Sequence, residues 1–279
     1  MDSSRFFTVV AFLVALLLIT SRVLLGNIGL LITFILLIIA ACGLYFFSHI
    51  YILQRTRSIL LPKEAALFVY NGLEAILQKA HVPIPTLYFS PDPQPNIFSV
   101  GRDTFHTHIV LTRGLFETCT QEEIQALVAH EIGHMTHKDI FLMTITATLA
   151  TLLTWTIPKK LLVQDSHREH NQHGNSLGGL LALIMTPLAS AFVRFMTNPT
   201  TELKADFVAA SYTRKPLELA HALEKIQLAI NANIPLAHHS IAFAHLYVVF
   251  PFQENAFTSL FITHPPLLER IDRLKNMLV

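Results

Sequence analysis

Charged residues are scarce in this sequence. Only 14% of its 279 residues are Asp, Glu, Lys or Arg, against about 25% in an ordinary soluble domain, and 52% are apolar. A soluble protein needs more charge to cover its surface, so part of the chain is expected to face lipid. The charges that are present sum to +1, which argues against a nucleic-acid partner because such binders carry an excess of Lys and Arg.

Cysteine is almost absent as well. The two cysteines are Cys42, inside an apolar run, and Cys119, just before a predicted helix. This placement indicates neither a disulfide framework nor a cysteine-based zinc site. Histidine, in contrast, occurs fifteen times, and it is the commonest metal ligand in proteins.

Two long apolar stretches open the chain. They run from Phe6 to about Leu25 and from Ile28 to Leu53. Each is long enough to cross a hydrocarbon layer of about 30 Å, and Gly26-Asn27 between them is typical of a tight turn. Residues 1–53 are therefore predicted to form a transmembrane hairpin, with the lipid bilayer as a partner.

Two shorter apolar stretches follow, from Ile140 to Ile157 and from Leu177 to Val193. They are near the lower limit of about 17 residues for a span, so they are either membrane spans or partly sunken helices. Residues 54–279 are thus predicted to form one domain, interrupted by a second apolar hairpin at about 140–193. Its polar parts are mainly α with a small β-sheet: a Pro-rich loop at 81–95 precedes two short strands, at 96–100 and 108–112.

The Lys and Arg residues that flank the apolar stretches predict the orientation. Under a four-span arrangement, one side carries Arg5, Arg55, Arg57, Lys63 and Lys138, and the other carries Arg22, Lys159, Lys160 and Arg168. This modest asymmetry places both polar blocks in the cytoplasm.

The segment His130-Glu131-Ile132-Gly133-His134 has the pattern H-E-x-x-H. Residues four apart lie on one face of a helix, so both imidazoles can bind one zinc ion, and the Glu131 carboxylate can take a proton from water at the metal. Random placement at this composition would produce the pattern about 0.03 times in such a chain. The capping box that begins at Thr120 starts a helix at the right place.

A catalytic zinc site needs a third protein ligand. His137 is excluded because it lies about 10 Å along the helix axis from His130. Glu202 and Asp206 are four residues apart on a later predicted helix, so Glu202 could bind the metal while Asp206 orients an imidazole. The same pair could equally be a solvated helix face. The polar segment from His167 to His173 also permits a metal site, although a solvated loop is the better interpretation.

In the order and spacing of these motifs the chain resembles the HtpX-type membrane metalloproteases, which are related to the CAAX-prenyl proteases. The resemblance covers nearly the whole chain, and the segments that carry it are Asn96-Ile97-Phe98, Thr112-Arg113-Gly114-Leu115, the H-E-I-G-H helix, Glu202-Leu203-Lys204-Ala205-Asp206, and Thr263-His264-Pro265-Pro266 followed by Arg270-Ile271. This chain departs from the family in having Asn198-Pro199-Thr200-Thr201 where an Arg is usual, and Asn96-Ile97-Phe98 where N-A-F is usual.

The resemblance implies a gluzincin-like zinc endopeptidase in a bacterial inner membrane, with one Zn²⁺ per chain held by His130, His134 and Glu202. It implies cleavage of membrane or misfolded proteins in quality control. His264 then either donates to the oxyanion or occupies the open metal position, unless it only packs the C-terminal helix. Strand residues Asn96, Ile97 and Phe98 are expected to bind substrate by main-chain pairing.

Two other classes of function remain open at this point. A catalytically inactive membrane scaffold of the same fold would have no need for Glu131. A metal transporter would be expected to carry charged residues within its spans, and the apolar stretch from residue 28 to 53 has none.

Overall fold

The computed structural model describes residues 3–154, 177–237, 240–255 and 258–277. The chain divides into two compact units, Met1–Ser48 and His49–Val279.

The first unit is formed by the N-terminal part of helix α1 (Ser3–Arg55). Gly26 interrupts this helix with φ 67° and ψ −156°, a backbone conformation that glycine adopts without strain. The Ser21 and Thr33 hydroxyl oxygens lie 2.7 Å apart, whereas twelve residues of straight helix span about 18 Å. The chain therefore reverses direction at Gly26.

Helix α1 is, within the described residues, the one helix that is long and apolar enough to cross a membrane. Its large apolar side chains face outward: Phe12, Leu24 and Ile28 are 65%, 74% and 73% exposed. Such a continuous apolar surface suits lipid and would be unfavourable in water. Membrane crossing by the later stretches at 140–157 and 177–193 stays a prediction.

The second unit contains a four-stranded sheet with strands β1 (Ile59–Leu60), β2 (Thr86–Ser90), β3 (Ile97–Gly101) and β4 (Thr107–Thr112), in the order β1-β2-β4-β3. β2 runs parallel to β4, and the other two pairings are antiparallel. The sequence predicted β3 and β4 but assigned β2 to the Pro-rich loop. This short segment becomes a strand because β4 pairs with it along its whole length.

Helices make up most of the rest, which confirms a mainly α fold with a small sheet. The described helices after α1 are α2 (Leu67–Ala80), α3 (Arg113–Thr118), α4 (Gln121–His137), α5 (Ile140–Thr154), α6 (Leu177–Met196), α7 (Pro199–Thr213), α8 (Pro216–Asn231) and α9 (Leu267–Lys275), with 3-10 turns at Lys63–Ala66, Ile241–Leu246 and Thr258–Phe261.

Helix α4 is the centre of the second unit. It packs against α2, α7, α8 and the sheet, and Ile124, Leu127, Val128 and Ile132 on it are buried in the main hydrophobic cluster. Both faces of α4 are therefore enclosed by protein, and this burial fixes the polar residues that α4 carries.

Candidate active site

The ends of α4 are defined by local hydrogen bonds. The Thr120 hydroxyl accepts from the Glu123 amide at 3.3 Å, and the Glu123 carboxylate accepts from the Thr120 amide at 2.7 Å, which is the predicted capping box. At the other end Lys138 adopts the left-handed conformation (φ 57°) and its amide donates to the Met135 carbonyl. The chain turns back there, and this return places Asp139 beside the last turns of the helix.

His130 and His134 lie one turn apart on α4, as their spacing predicted. Their Nε2 atoms are 3.2 Å apart, and their side chains are 0% and 2% exposed. Two imidazoles buried this deeply, with converging nitrogens, form one half of a metal site.

Glu202 reaches the two histidines from α7 because a glycine allows the helices to approach closely. A Cβ atom at Gly133 would lie 2.8 Å from the Ala205 Cα, so any side chain there would push α7 away. The Glu202 carboxylate oxygens lie 3.5 Å from His130 Nε2 and 3.4 Å from His134 Nε2. One ligand atom from each of the three residues lies within 4.8 Å of the others, so the structure brings the predicted ligands together.

This donor set fits a zinc ion. Two imidazole nitrogens and a carboxylate oxygen are a usual set of three protein ligands in catalytic zinc sites. Glu202 Oε2 is buried and, in the described part of the chain, accepts no hydrogen bond; it has an ion pair with Arg270 at 3.2 Å. A buried carboxylate oxygen with so little hydrogen bonding is suited to a cation.

Each imidazole contacts a carboxylate through its Nδ1 atom. His130 Nδ1 lies 2.9 Å from Asp206 Oδ1, which matches the orienting role predicted for Asp206. His134 Nδ1 lies 3.1 Å from Asp139 Oδ2. Sequence reasoning missed Asp139; its signal was an acidic residue just after the predicted end of the H-E-x-x-H helix. Such partners fix the ring orientation and leave each Nε2 toward the metal.

Arg270 on α9 links the acidic residues of the site. It is 1% exposed, and its Nε and Nη2 donate to the two Asp206 oxygens, each at 2.8 Å. Its Nη1 donates to the Val248 carbonyl at 2.6 Å and contacts Glu202 at 3.2 Å. The sequence analysis noted Arg270 only as part of a motif, and its position shows that it compensates two buried negative charges.

The ionisation of the buried groups follows from these contacts. Burial alone would raise the pKa of Asp206, but Arg270 and His130 outweigh it and hold the pKa at about 2. The pKa of Glu202 is likewise held well below its usual value, against burial, by Arg270 and both histidines. Burial opposes protonation of His130, yet Asp206 and Glu202 raise its pKa. The site is thus arranged to attract positive charge.

Glu131 is enclosed beside the two histidines and is 1% exposed. Burial raises its pKa, partly opposed by the positive fields of His134 and His130 and by a hydrogen bond with the Ser99 hydroxyl on β3. Its carboxylate therefore lies between the helix that carries the imidazoles and the strand predicted to bind substrate.

His264 lies next to the cluster, just before α9. Burial lowers its pKa, and the charges of Glu202, Arg270 and His134 also act on it. The ring makes a hydrogen bond with the Tyr247 backbone, while Nδ1 is buried with no hydrogen-bond partner among the described residues. The structure places this histidine at the site, and its role stays a prediction.

Strand β3 lies at the edge of the sheet, but part of that edge is covered. Phe98 forms a bridge with Tyr247, and the Val248 amide donates to the Ile97 carbonyl at 3.0 Å. The Asn96 side chain donates to the Val249 carbonyl at 2.9 Å. The segment 247–249 therefore occupies the side of β3 where a peptide was expected to pair with Asn96, Ile97 and Phe98.

His137, which helix geometry excluded as a ligand, lies outside the cluster. His137 is exposed at the last residue of α4, as expected for a helix-end residue. The histidine-containing loop at 167–173 lies outside the described residues.

Residues 69–278 match the sequence profile described as peptidase family M48. The chain belongs to this family. It is a membrane metalloprotease of family M48. Helix α4 carries the H-E-x-x-H motif of a metalloprotease, and helix α1 is the apolar helix expected of a membrane protein. The resemblance to HtpX-type proteases stated from the sequence is confirmed.

Curated relatives agree with the M48 assignment. The chain is 33% identical over 259 residues to a protein named "Protease HtpX homolog" from Syntrophobacter fumaroxidans, covering 90% of this chain and 91% of that one. It is 31% identical over 274 residues to the protein of the same name from Persephonella marina, covering 95% and 93%.

A solved structure, that of Ste24p from S. mikatae, shares the fold. It aligns with a TM-score of 0.50 and 18% identity over 98% of this chain and 64% of the Ste24p chain. At 18% identity, this similarity supports the fold of the chain and nothing further.

Proposed function

We propose that this protein is a zinc-dependent endopeptidase that cleaves membrane or misfolded proteins in proteolytic quality control. The observation that carries the proposal is the convergence of His130, His134 and Glu202, whose ligand atoms lie within 4.8 Å, beside the buried carboxylate of Glu131. A metal site with an adjacent buried carboxylate is suited to hydrolysis of a peptide bond.

His130, His134 and Glu202 would hold one zinc ion per chain. When bound, zinc supplies Lewis acidity, which polarises a carbonyl group and lowers the pKa of water to about 7. Asp206 and Asp139 keep the imidazoles in the tautomer that presents Nε2, and Arg270 keeps Glu202 and Asp206 ionised.

Glu131 acts as the general base in this mechanism. Its carboxylate takes a proton from the attacking water and passes it to the leaving amine. His264 would donate a hydrogen bond to the oxyanion, since preorganised donors at developing negative charge strongly accelerate acyl transfer. The buried Nδ1 of His264 has no hydrogen-bond partner among the described residues, so it is the ring nitrogen available for this contact.

Substrate would bind as an extended peptide along β3 and pair by main-chain hydrogen bonds, which tolerate many side chains. Because residues 247–249 cover the edge at Ile97 and Phe98, pairing there requires that this segment move aside. Asn96 would take part by releasing the Val249 carbonyl, to which its side chain donates at 2.9 Å, when the segment moves.

The first test is proteolysis of unfolded casein by the purified full chain in detergent. We expect cleavage that is abolished by a chelator and restored by added Zn²⁺. An intact, folded protein that binds zinc but leaves casein and other unfolded proteins uncleaved would favour an inactive scaffold instead.

We further propose a multi-pass arrangement in a bacterial inner membrane, with the active site in the cytoplasm and the loop around Asn171 outside. The Lys and Arg asymmetry supports this orientation. In a chain with Cys42 and Cys119 replaced by Ser, a cysteine introduced at position 171 should react with an impermeant reagent in intact cells. Reaction only after lysis would reject the external loop.

A further inference from the structure

The loop between β3 and β4 presents an exposed aromatic side chain. Phe105 in this loop is 80% exposed, although the two strands that it joins are largely buried. The Asp103 carboxylate accepts from the Phe105 and His106 amides, each at 2.8 Å, and the Asp103 carbonyl accepts from the Thr107 hydroxyl at 2.9 Å. These bonds satisfy much of the loop backbone locally, which lowers the cost of bringing it to an apolar medium.

The direction of this loop follows from the contacts between the sheet and the end of α1. The His49 and His108 rings stack with their centroids 5.3 Å apart. Just past α1, the Thr56 carbonyl accepts from the Ser90 hydroxyl at 3.1 Å, and Ser90 pairs with the last residue of β4. The last turns of α1 and β4 therefore run in the same direction. The loop that precedes β4 extends beyond His49, on the side from which the chain arrives, and three residues from His108 to Phe105 reach at most about 10 Å.

The surface of the bilayer is expected close to His49. The apolar stretch 28–53 is predicted to span the membrane, and His49 lies in its last turns. Tyrosine is typical of the membrane–water interface, and arginine of the aqueous side beyond it. Tyr45 and the exposed Arg55 therefore bracket the place where the chain leaves lipid. The β3–β4 loop extends toward this interface.

We propose that Phe105 inserts into the interface of the bilayer, so that the β3–β4 loop is a membrane contact of the unit that carries the active site. Arg102 and His106 flank the ring, contact Asp103 at 3.5 and 2.8 Å, and have side chains that are 23% and 49% exposed. Such side chains keep their polar ends among the lipid headgroups while an apolar neighbour enters the acyl layer. Because β3 is the predicted substrate strand, this contact would set its height above the bilayer.

The experiment is tryptophan fluorescence of the full chain in phosphatidylcholine vesicles. Trp155 is the one tryptophan of the sequence, so Phe105→Trp is made together with Trp155→Phe. Lipids brominated near the headgroup end of their acyl chains quench tryptophan at that depth, where the apolar face of an interfacial segment lies about 5–10 Å into the headgroup–acyl boundary. We expect these lipids to reduce the emission of Phe105→Trp by about twofold or more, and lipids brominated near the chain ends to quench it less.

Two control variants in the same Trp155→Phe background make the result decisive. Leu36→Trp lies in the predicted span and should be quenched most by the deeper bromines. Leu268→Trp on α9 replaces a side chain that is 76% exposed, nearly as much as Phe105, and its emission should not change. Quenching of Leu36→Trp without quenching of Phe105→Trp would overturn the proposal and leave the span intact. Equal quenching of Leu268→Trp would also overturn it, and an unquenched Leu36→Trp would overturn both the span and the proposal.

Discussion

Arg270 offers the sharpest test of how the site is held together. Its guanidinium group is buried between Asp206 and Glu202, with two hydrogen bonds of 2.8 Å to Asp206 and a contact of 3.2 Å with Glu202. The variant Arg270→Met keeps a long apolar side chain but removes the positive charge. Two carboxylates then remain buried with their main compensating charge lost.

The expected cost is large. Removing one partner of a buried ion pair destabilises a protein by about 3–5 kcal/mol. In a domain of about 150–250 residues each kcal/mol lowers Tm by about 2–4 °C, so Tm of the metal-free protein should fall by about 10 °C. The loss should be smaller with zinc, because a cation beside Glu202 replaces part of the missing charge. Arg270→Lys should lie between, since it keeps the charge and loses the two-pronged geometry.

The assay is thermal unfolding of the purified chain in detergent, with and without zinc. The control is Arg273→Met, because Arg273 lies on the same helix, is exposed and forms a surface ion pair with Glu269 at 2.9 Å. Such exposed pairs contribute little, so its Tm should stay close to that of the wild type. If Arg270→Met unfolds at the same temperature as Arg273→Met, Arg270 does not compensate the buried carboxylates.

Three further predictions concern individual site residues. Glu202→Ala should sharply reduce zinc content while His137→Ala should not, because only Glu202 lies with the two imidazoles; full occupancy in Glu202→Ala by metal analysis would reject Glu202 as a ligand. His264→Ala should lower kcat by about 10²–10³ with zinc retained, as for loss of an oxyanion donor. Raised basal activity would instead mean that His264 occupies the metal position. Unchanged activity with a lower Tm would leave His264 only a structural role. The pKa of Asp206 is about 2 in the folded chain, below its ordinary value of 3.8, so its ionisation stabilises the fold above about pH 4 by roughly 2 kcal/mol. This contribution should disappear as the pH falls from 4 toward 2, and urea unfolding of Asp206→Asn should lack that part of the pH dependence; an identical profile would contradict the assignment.

Local sequence signals were sufficient for the parts of the site that lie on one helix. His130, Glu131 and His134 follow from a four-residue spacing, and the start of the helix follows from the Thr120 capping box, since both depend on the geometry of consecutive turns. The assignment of Glu202 as a ligand depended on the family resemblance, because its spacing from Asp206 fits a solvated helix face equally well.

Contacts between distant segments could not be predicted in this way. Arg270 is 64 residues from Asp206 in sequence, and only the packing of α9 against α7 and α8 brings them together. The cover over β3 arises from residues 247–249, about 150 positions later, and β2 became a strand through pairing with β4. Asp139 is only five residues from His134 in sequence. Their contact nevertheless depends on a left-handed turn at Lys138, a conformation that few sequences signal.

The most direct test of the central claim compares the wild type with Glu131→Gln. Glutamine keeps the size of the side chain and leaves His130, His134 and Glu202 in place, but it cannot accept the proton from water. Zinc content and casein cleavage should be measured on the same preparations. We expect one zinc per chain at the active site in both proteins, with cleavage in the wild type and almost none in Glu131→Gln. Cleavage by zinc-loaded Glu131→Gln at the wild-type rate would contradict the claim.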